Sequence, residues 1–293
     1  MNKRYCYWSV VDGDYALMAQ SVVRSARRVG VFKDFHIWTD KPIEGGICHN
    51  AGKFEKWGCL FKLVFLRDAV QRLNYDYFVW LDMDAYFVRN PGDVLRVLHG
   101  SPIHVTLESD LCLCQNRRPD WWGCPNEQFA ALMRAKGVCS KSIFNVNGGF
   151  FVVHRDVIGT LFKLTYDFWD YCQKQGYTFN DEPLLAYGMH MLCGNPYFHT
   201  VRETADVWAS DWTGCYGDTL PDGQSWWFVD YFTKERIPVN PAIVHAMRSK
   251  QALIDEATHH AGWIPRDQAS VSIGENKLSQ PLCDAGIQTA SKP

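Results

Sequence analysis

The sequence predicts an α/β fold whose central sheet gathers its functional side chains at the carboxyl ends of its strands. Three observations carry this. An apolar run at residues 4–11 breaks at Asp12-Gly13-Asp14 and gives way to a helical pattern, the opening of a nucleotide-binding α/β unit. The run Tyr77-Phe78-Val79-Trp80-Leu81 has the aromatic and β-branched composition of a buried strand. It meets two carboxylates, Asp82 and Asp84, and a second apolar stretch, Ala85-Tyr86-Phe87-Val88, follows at once. Acids between apolar runs are costly to bury unless something pairs them. The place for such a pair is the carboxyl end of a central strand, where open α/β sheets bind ligands.

In an extended chain residues i and i+2 face the same way, roughly 7 Å apart. Asp82 and Asp84 so placed can hold a divalent cation that also grips a diphosphate. The bland alternative is a strand-end turn with two solvated acids. Phosphatases of the haloacid dehalogenase type also carry Asp-x-Asp after an apolar strand, but they expect Thr or Val where Tyr86 stands.

The 293 residues, 47% of them hydrophobic, are enough for one large α/β domain or two small ones. Thirty basic residues against 32 acidic give a net charge of −2, so no basic surface is implied and nucleic acid is not an expected partner. The 12 Trp and 13 Tyr exceed what core packing asks for and suit stacking on bases and sugar faces. Eleven Cys include no C-x-x-C pair, which argues against a zinc ribbon or a thioredoxin-like site. The start of the chain has no signal-peptide pattern, so free thiols in a reducing cytoplasm are expected. No run of about 18 apolar residues marks a membrane span.

In chain order, a helix is expected over residues 15–29, closed by Gly30. The absence of G-x-G-x-x-G removes a dinucleotide from consideration, and the Gly-rich basic loop of sugar nucleotidyltransferases is also missing. A strand follows at 35–39, a loop at 42–52 and a helix at 55–73 with one broad apolar face. Lys62 lies on that face, where a snorkelling surface lysine is the plain reading. After the central strand come a turn at 90–93, a short helix at 94–98 and a strand at 103–107. Residues 108–124 read as a long irregular loop, and such loops are often functional. Its Trp121-Trp122 pair either lines a sugar-acceptor site or pins the loop to the core.

A helix at 126–136 precedes the second informative stretch, a strand over 144–153. Gly148 and Gly149 interrupt it, and paired glycines inside a strand mark a close approach by ligand or backbone. Asn147 beside them offers an amide to sugar hydroxyls. A helix at 157–175 follows. Asp181 and Glu182 then open another helix, with Pro183 in its first turn. Capping and dipole compensation account for one of these acids more comfortably than for two. Residues 195–240 show no readable order. A last short strand over 242–244 ends at His245, with Lys250 five residues on, and the polar tail 269–293 reads as loosely attached. No internal repeat is visible.

Together these motifs resemble the GT-A fold glycosyltransferases, most closely glycosyltransferase family 8, over roughly residues 5–250. The likeness rests on the apolar strand with Asp82-Met83-Asp84. It rests also on Asp12-Gly13-Asp14-Tyr15, Phe61-Lys62-Leu63, Asn147-Gly148-Gly149, Asp181-Glu182, and His245 with Lys250. Glu182 replaces the family's usual Gln, and the Gly and Pro-Trp that surround the family's final Lys are missing.

The resemblance implies a Rossmann-like nucleotide-diphospho-sugar transferase fold with a mixed central sheet flanked by helices. It implies one catalytic domain over residues 1–264, with a nucleotide half to about 100 and an acceptor half beyond it, and a tail at 265–293. It implies Mn²⁺ or Mg²⁺ on Asp82, Asp84 and His245. Donor contacts are implied at Asp12, Tyr15, Lys62, Asp82, Asn147, Gly148, Gly149 and Lys250, with Asp181 and Glu182 as catalytic candidates. The expected activity is transfer of a sugar from a nucleotide donor, UDP-linked by preference, to a glycan or other hydroxyl acceptor with retention. An inverting enzyme using a GDP-sugar and a non-catalytic binder on the same fold stand as alternatives.

Overall fold

The computed structural model of the chain describes residues 3–51, 60–108, 120–193, 204–210, 215–216, 226–229, 235–245, 250–251 and 253–254. The elements run β1 (Tyr5–Val10), α1 (Gly13–Arg28), β2 (Phe35–Trp38), β3 (Ile47–His49), α2 (Phe61–Arg72), β4 (Tyr77–Leu81) and β5 (Ala85–Phe87). A 3₁₀ turn (Val94–Leu98), β6 (Ile103–Leu107), β7 (Asp120–Trp121), β8 (Cys124–Pro125), α3 (Asn126–Ala135), β9 (Val146–His154), α4 (Arg155–Lys174) and α5 (Asp181–Cys193) follow. Five short strands close the series: β10 (Trp208–Ala209), β11 (Cys215–Tyr216), β12 (Trp226–Val229), β13 (Arg236–Val239) and β14 (Ile243–His245).

The apolar strands are continuous in sequence because both faces of the main sheet are covered. Along β1, Tyr5 and Tyr7 enter one core while Cys6, Trp8 and Val10 enter the other; β4 and β9 alternate in the same way. Helix α1 covers the first face through Ala19, Val22, Val23 and Ala26. Helices α2, α4 and α5 cover the second through Leu63, Leu66, Leu161, Phe168, Leu184 and Leu185. On that side Trp80 of β4 stacks on Phe151 of β9, with ring centroids 5.8 Å apart.

The main sheet has the order β3-β2-β1-β4-β9-β6. Strand β1 runs parallel to β2 and β4, and β2 runs parallel to β3. Strand β9 runs antiparallel to both β4 and β6. Strands β1, β4 and β6 therefore finish at one edge, where β9 begins. That edge receives Asp12, Asp82, Glu108 and Asn147. The fold is thus mixed α/β with a mixed central sheet flanked by helices, and its strands come from both sides of residue 100. A second sheet, β10-β14-β5, continues from the same edge: β14 pairs antiparallel with β5 and parallel with β10.

Several expectations are corrected. The loop at 42–52 contains β3, an edge strand with two of its three residues exposed, so no apolar run announces it. Helix α2 is described from Phe61; residues 55–59 of the expected helix lie outside the described residues. The expected loop at 108–124 closes with the β7–β8 hairpin, while 109–119 and the tail lie outside them. Among the described residues, Cys6, Cys48, Cys124, Cys139, Cys172 and Cys193 are unbridged. No helix among them is long and apolar enough to cross a membrane.

Candidate functional site

Strand β4 delivers Asp82 to the sheet edge, and its backbone N–H donates to the Gly149 carbonyl at 2.8 Å. The chain does not stay extended to Asp84, as the spacing suggested. It turns at Met83 and Asp84, because Met83 is drawn into the core on the α1 side and β5 leaves the main sheet to pair with β14. The turn brings the two acids together. It also sets them beside His245, which stands opposite Ala85 in the β14–β5 register. One ligand atom from each of Asp82, Asp84 and His245 lies within 4.8 Å of the others.

His245 Nε2 lies 3.0 Å from Asp84 Oδ1, and Ser210 Oγ lies 3.2 Å from Nδ1 on the other side of the ring. A bond to the far nitrogen fixes the orientation of a metal-binding imidazole. Lys250 Nζ sits 2.6 Å from Asp84 Oδ2 and donates to the Tyr15 hydroxyl at 3.2 Å. Burial would raise the Asp84 carboxyl, but His245 and Lys250 outweigh it and hold the group well below the usual range. Asp82 shows the opposite balance: burial pushes it up more than Lys62 pulls it down. Asp12 stands at the amino end of α1, three residues before Tyr15; its carboxylate does not cap the helix.

Lys62 is no snorkelling surface residue. It is 6% exposed and reaches Asp181 Oδ2 at 2.7 Å, Asp82 Oδ1 at 3.3 Å and the Gly148 carbonyl at 3.0 Å. Its ammonium also lies 4.6 Å from the Trp80 ring centre. Burial opposes its charge, and the two aspartates more than restore it, keeping it protonated. The glycine pair is explained by side chains of the protein itself. A Cβ at Gly148 would stand 2.7 Å from Asp181 Oδ2, and one at Gly149 would stand 2.8 Å from the Trp208 ring.

Glu182 lies next along the same wall. Its Oε1 accepts from Gly148 N at 2.9 Å and from Asn147 Nδ2 at 3.4 Å, and its Oε2 accepts from Trp122 Nε1 at 2.6 Å. Burial raises its carboxyl well above the ordinary value, with Glu108 and Asp181 adding to the shift. Sequence reasoning missed Glu108, whose buried carboxylate takes a 2.6 Å bond from Asn145 Nδ2. The signal was present: an acid directly after the apolar strand β6 obeys the rule that singled out Asp82. Ser210 and Trp208 had no such signal, since their stretch carries no periodicity.

Most of the predicted residues thus form one contact chain. Tyr15, Lys250, Asp84 and His245 meet Asp82, which meets Lys62; Lys62 leads to Asp181 and Gly148, and Gly148 to Glu182 and Asn147. The wall carries five acids (Asp82, Asp84, Glu108, Asp181, Glu182) and two lysines (Lys62, Lys250), a surplus of negative groups suited to a cation. Two carboxylates and an imidazole make a donor set that could hold a divalent cation. No protein-family model matches the chain, and no curated protein matches it.

Proposed function

We propose that the chain is a metal-dependent glycosyltransferase of GT-A type that moves a sugar from a nucleotide-diphosphate donor, UDP-linked by preference, to a hydroxyl acceptor. The observation that carries this is the Asp82, Asp84 and His245 cluster at the carboxyl edge of a central strand, with donor atoms within 4.8 Å. Asp82, Asp84 and His245 would hold Mn²⁺ or Mg²⁺. The ion supplies charge neutralisation for the departing diphosphate. Lys250 stands beside Asp84, where its ammonium can pair with a phosphate oxygen. Tyr15 presents its ring on the same side for the base. Lys62 fixes Asp82 and Asp181 in one geometry.

Around the sugar, Asn147 and Asp181 offer polar groups to hydroxyls. Glu182 supplies a carboxylate for the positive charge that develops as the anomeric bond breaks. Burial raises the Glu182 carboxyl, so it would act in the ionised form that an approaching positive charge favours. In that form it suits the retaining reading, as nucleophile or ion-pair partner.

The test is a thermal shift of the chain against UDP, GDP, CDP and dTDP, each with and without Mn²⁺. Stabilisation by one nucleotide only when metal is present is expected, with UDP the effective one. At a hundredfold excess over the dissociation constant, linkage gives about 2.7 kcal/mol. No shift with any nucleotide returns Asp82 and Asp84 to a plain strand-end turn. A shift without any hydrolysis of the matching sugar nucleotides points instead to a binder.

A further inference from the structure

Among the described residues two that are not glycine have left-handed backbones, His99 at φ 45° and Trp122 at φ 53°. His99 ends the 3₁₀ turn, where that conformation is ordinary. Trp122 is different. The β7–β8 register pairs Trp121 with Cys124 and leaves a two-residue loop, Trp122-Gly123, with φ of 53° and 76°. Such hairpins call for positive φ at both central residues and are built from Asn-Gly or Asp-Gly. A bulky residue there costs stability and persists when the surroundings demand it; such positions cluster at functional sites.

The two neighbouring tryptophans divide the alternatives the sequence left open. Trp121 is buried and packs edge-on against Phe129 of α3 at 5.2 Å, so it anchors the base of the hairpin. Trp122 projects from the tip. It remains 40% exposed, yet its Nε1 donates at 2.6 Å to Glu182, which is only 8% exposed. The indole therefore spans solvent and the buried acid. Its one N–H is already engaged, so what it offers a ligand is a ring face. A flat apolar face beside a carboxylate matches a pyranose ring, which pairs one C–H face with a rim of hydroxyls. The base has its own aromatic partner in Tyr15, in contact with Lys250 rather than Glu182.

We infer that Trp122 is the acceptor platform: its exposed ring seats a pyranose, so the acceptor is a glycan, and its N–H holds Glu182 in position. This rests on the glycosyltransferase reading, and the experiment separates the two. Wild type, Trp122→Phe and Trp122→Asn are compared by saturation-transfer NMR. The probes are the methyl pyranosides of glucose, galactose, mannose and N-acetylglucosamine. A thermal shift with UDP and Mn²⁺ is read on the same samples.

Asn adopts the left-handed conformation readily, so Trp122→Asn is expected to melt no lower than wild type while losing the ring. Its affinity for the preferred pyranoside is expected to fall at least about tenfold, against about twofold or less for Trp122→Phe, with the UDP shift unchanged in both. Pyranoside binding unchanged in Trp122→Asn, or absent from wild type while the UDP shift stands, overturns the platform alone. Loss of the UDP shift in Trp122→Asn overturns it too, since the ring would then serve the base or the fold. Pyranoside binding without any UDP shift in wild type keeps the platform and sinks the donor reading. The positioning role is read with UDP-glucose and UDP-galactose as donors. Trp122→Phe should lower kcat about tenfold at unchanged acceptor KM, and an unchanged kcat removes that role.

Discussion

Asp84 and Glu182 are buried almost equally, at 3% and 8% exposure, and belong to one contact chain, yet their surroundings drive them in opposite directions. Asp84 has cationic partners against it: the Lys250 ammonium on one oxygen and, on the other, the His245 ring, whose pKa Asp84 itself raises. Those charges overcome burial and keep it an anion. Glu182 accepts hydrogen bonds from Gly148, Asn147 and Trp122, and burial together with repulsion from Glu108 and Asp181 raises it. Lys62 stands between the two groups and is committed to Asp82 and Asp181. The difference teaches that burial alone does not set a carboxyl's state. What decides is whether the compensating groups are whole charges or dipoles. One end of the wall pairs its acid with cationic groups; the other leaves an acid under-compensated, which the positive charge of the proposed reaction would offset.

The largest expected effect comes from breaking the anionic end. Asp84→Asn removes one ligand of the proposed metal set and the partner of Lys250. Sugar-nucleotide hydrolysis with Mn²⁺ is expected to fall about 10⁴-fold, consistent with the several kcal/mol a metal supplies to a leaving group. Lys250 is 36% exposed at its side chain and can turn to water, so the fold should survive by circular dichroism. A full rate in this variant removes Asp84 from the metal set.

Next in size is the link between the ends. Lys62→Met keeps the shape and leaves Asp82 and Asp181 facing each other without their cation. Breaking a buried pair from one side costs about 3–5 kcal/mol, readable by urea unfolding. Adding Asp181→Asn should restore much of that loss, because contacting sites are not additive. Under about 1 kcal/mol for the single variant would mean that water, not Lys62, balances these acids.

At the other end, Glu182→Gln should lower turnover about a hundredfold, in the range a positioned carboxylate supplies, with UDP binding kept. Its stability carries a sign that tests the comparison. A carboxyl raised in the folded state supports folding fully below its unfolded pKa, and that support is lost as pH rises through the folded value. Gln does not titrate. The stability of Glu182→Gln relative to wild type should therefore climb from pH 4.5 upward and level off above the folded pKa. The donor mismatch that an amide creates at Trp122 or Gly148 is constant with pH and does not disturb the slope. A flat difference would mean that the three hydrogen bonds hold Glu182 ionised after all.

The two ends also differed in how far the sequence exposed them. Asp82 and Asp84 were legible because apolar runs flank them on both sides, and a buried acid pair has few other uses. Their geometry was not legible. The closeness comes from the turn at Met83 and from β14, contributed 160 residues later in the chain, which no local pattern encodes. The strand and helix alternation that builds the main sheet was readable from period and composition. The edge strand β3 was not, because exposed edge residues carry no apolar signal. Lys62 looked like a surface lysine because its two carboxylate partners are distant in sequence and only the fold assembles them.

Glu108 follows the apolar strand β6 as Asp82 follows β4, and it gives the smallest and sharpest test. It is buried beside Glu182 and contributes the largest repulsion that the latter feels from any charged group. Glu108→Gln preserves an oxygen for the Asn145 amide, which now bonds Glu108 at 2.6 Å, and removes only the charge. Glu182 should then titrate at lower pH, while remaining above its unfolded value because burial, the first cause of the shift, is untouched. In the wild-type against Glu182→Gln comparison, repeated in the Glu108→Gln background, the rise in relative stability should level off earlier in pH and reach a lower plateau. A plateau unmoved by Glu108→Gln would assign the whole shift to desolvation. The contrast between the two ends would then reduce to the presence of cations at one of them, with no part played by the crowding of acids at the other.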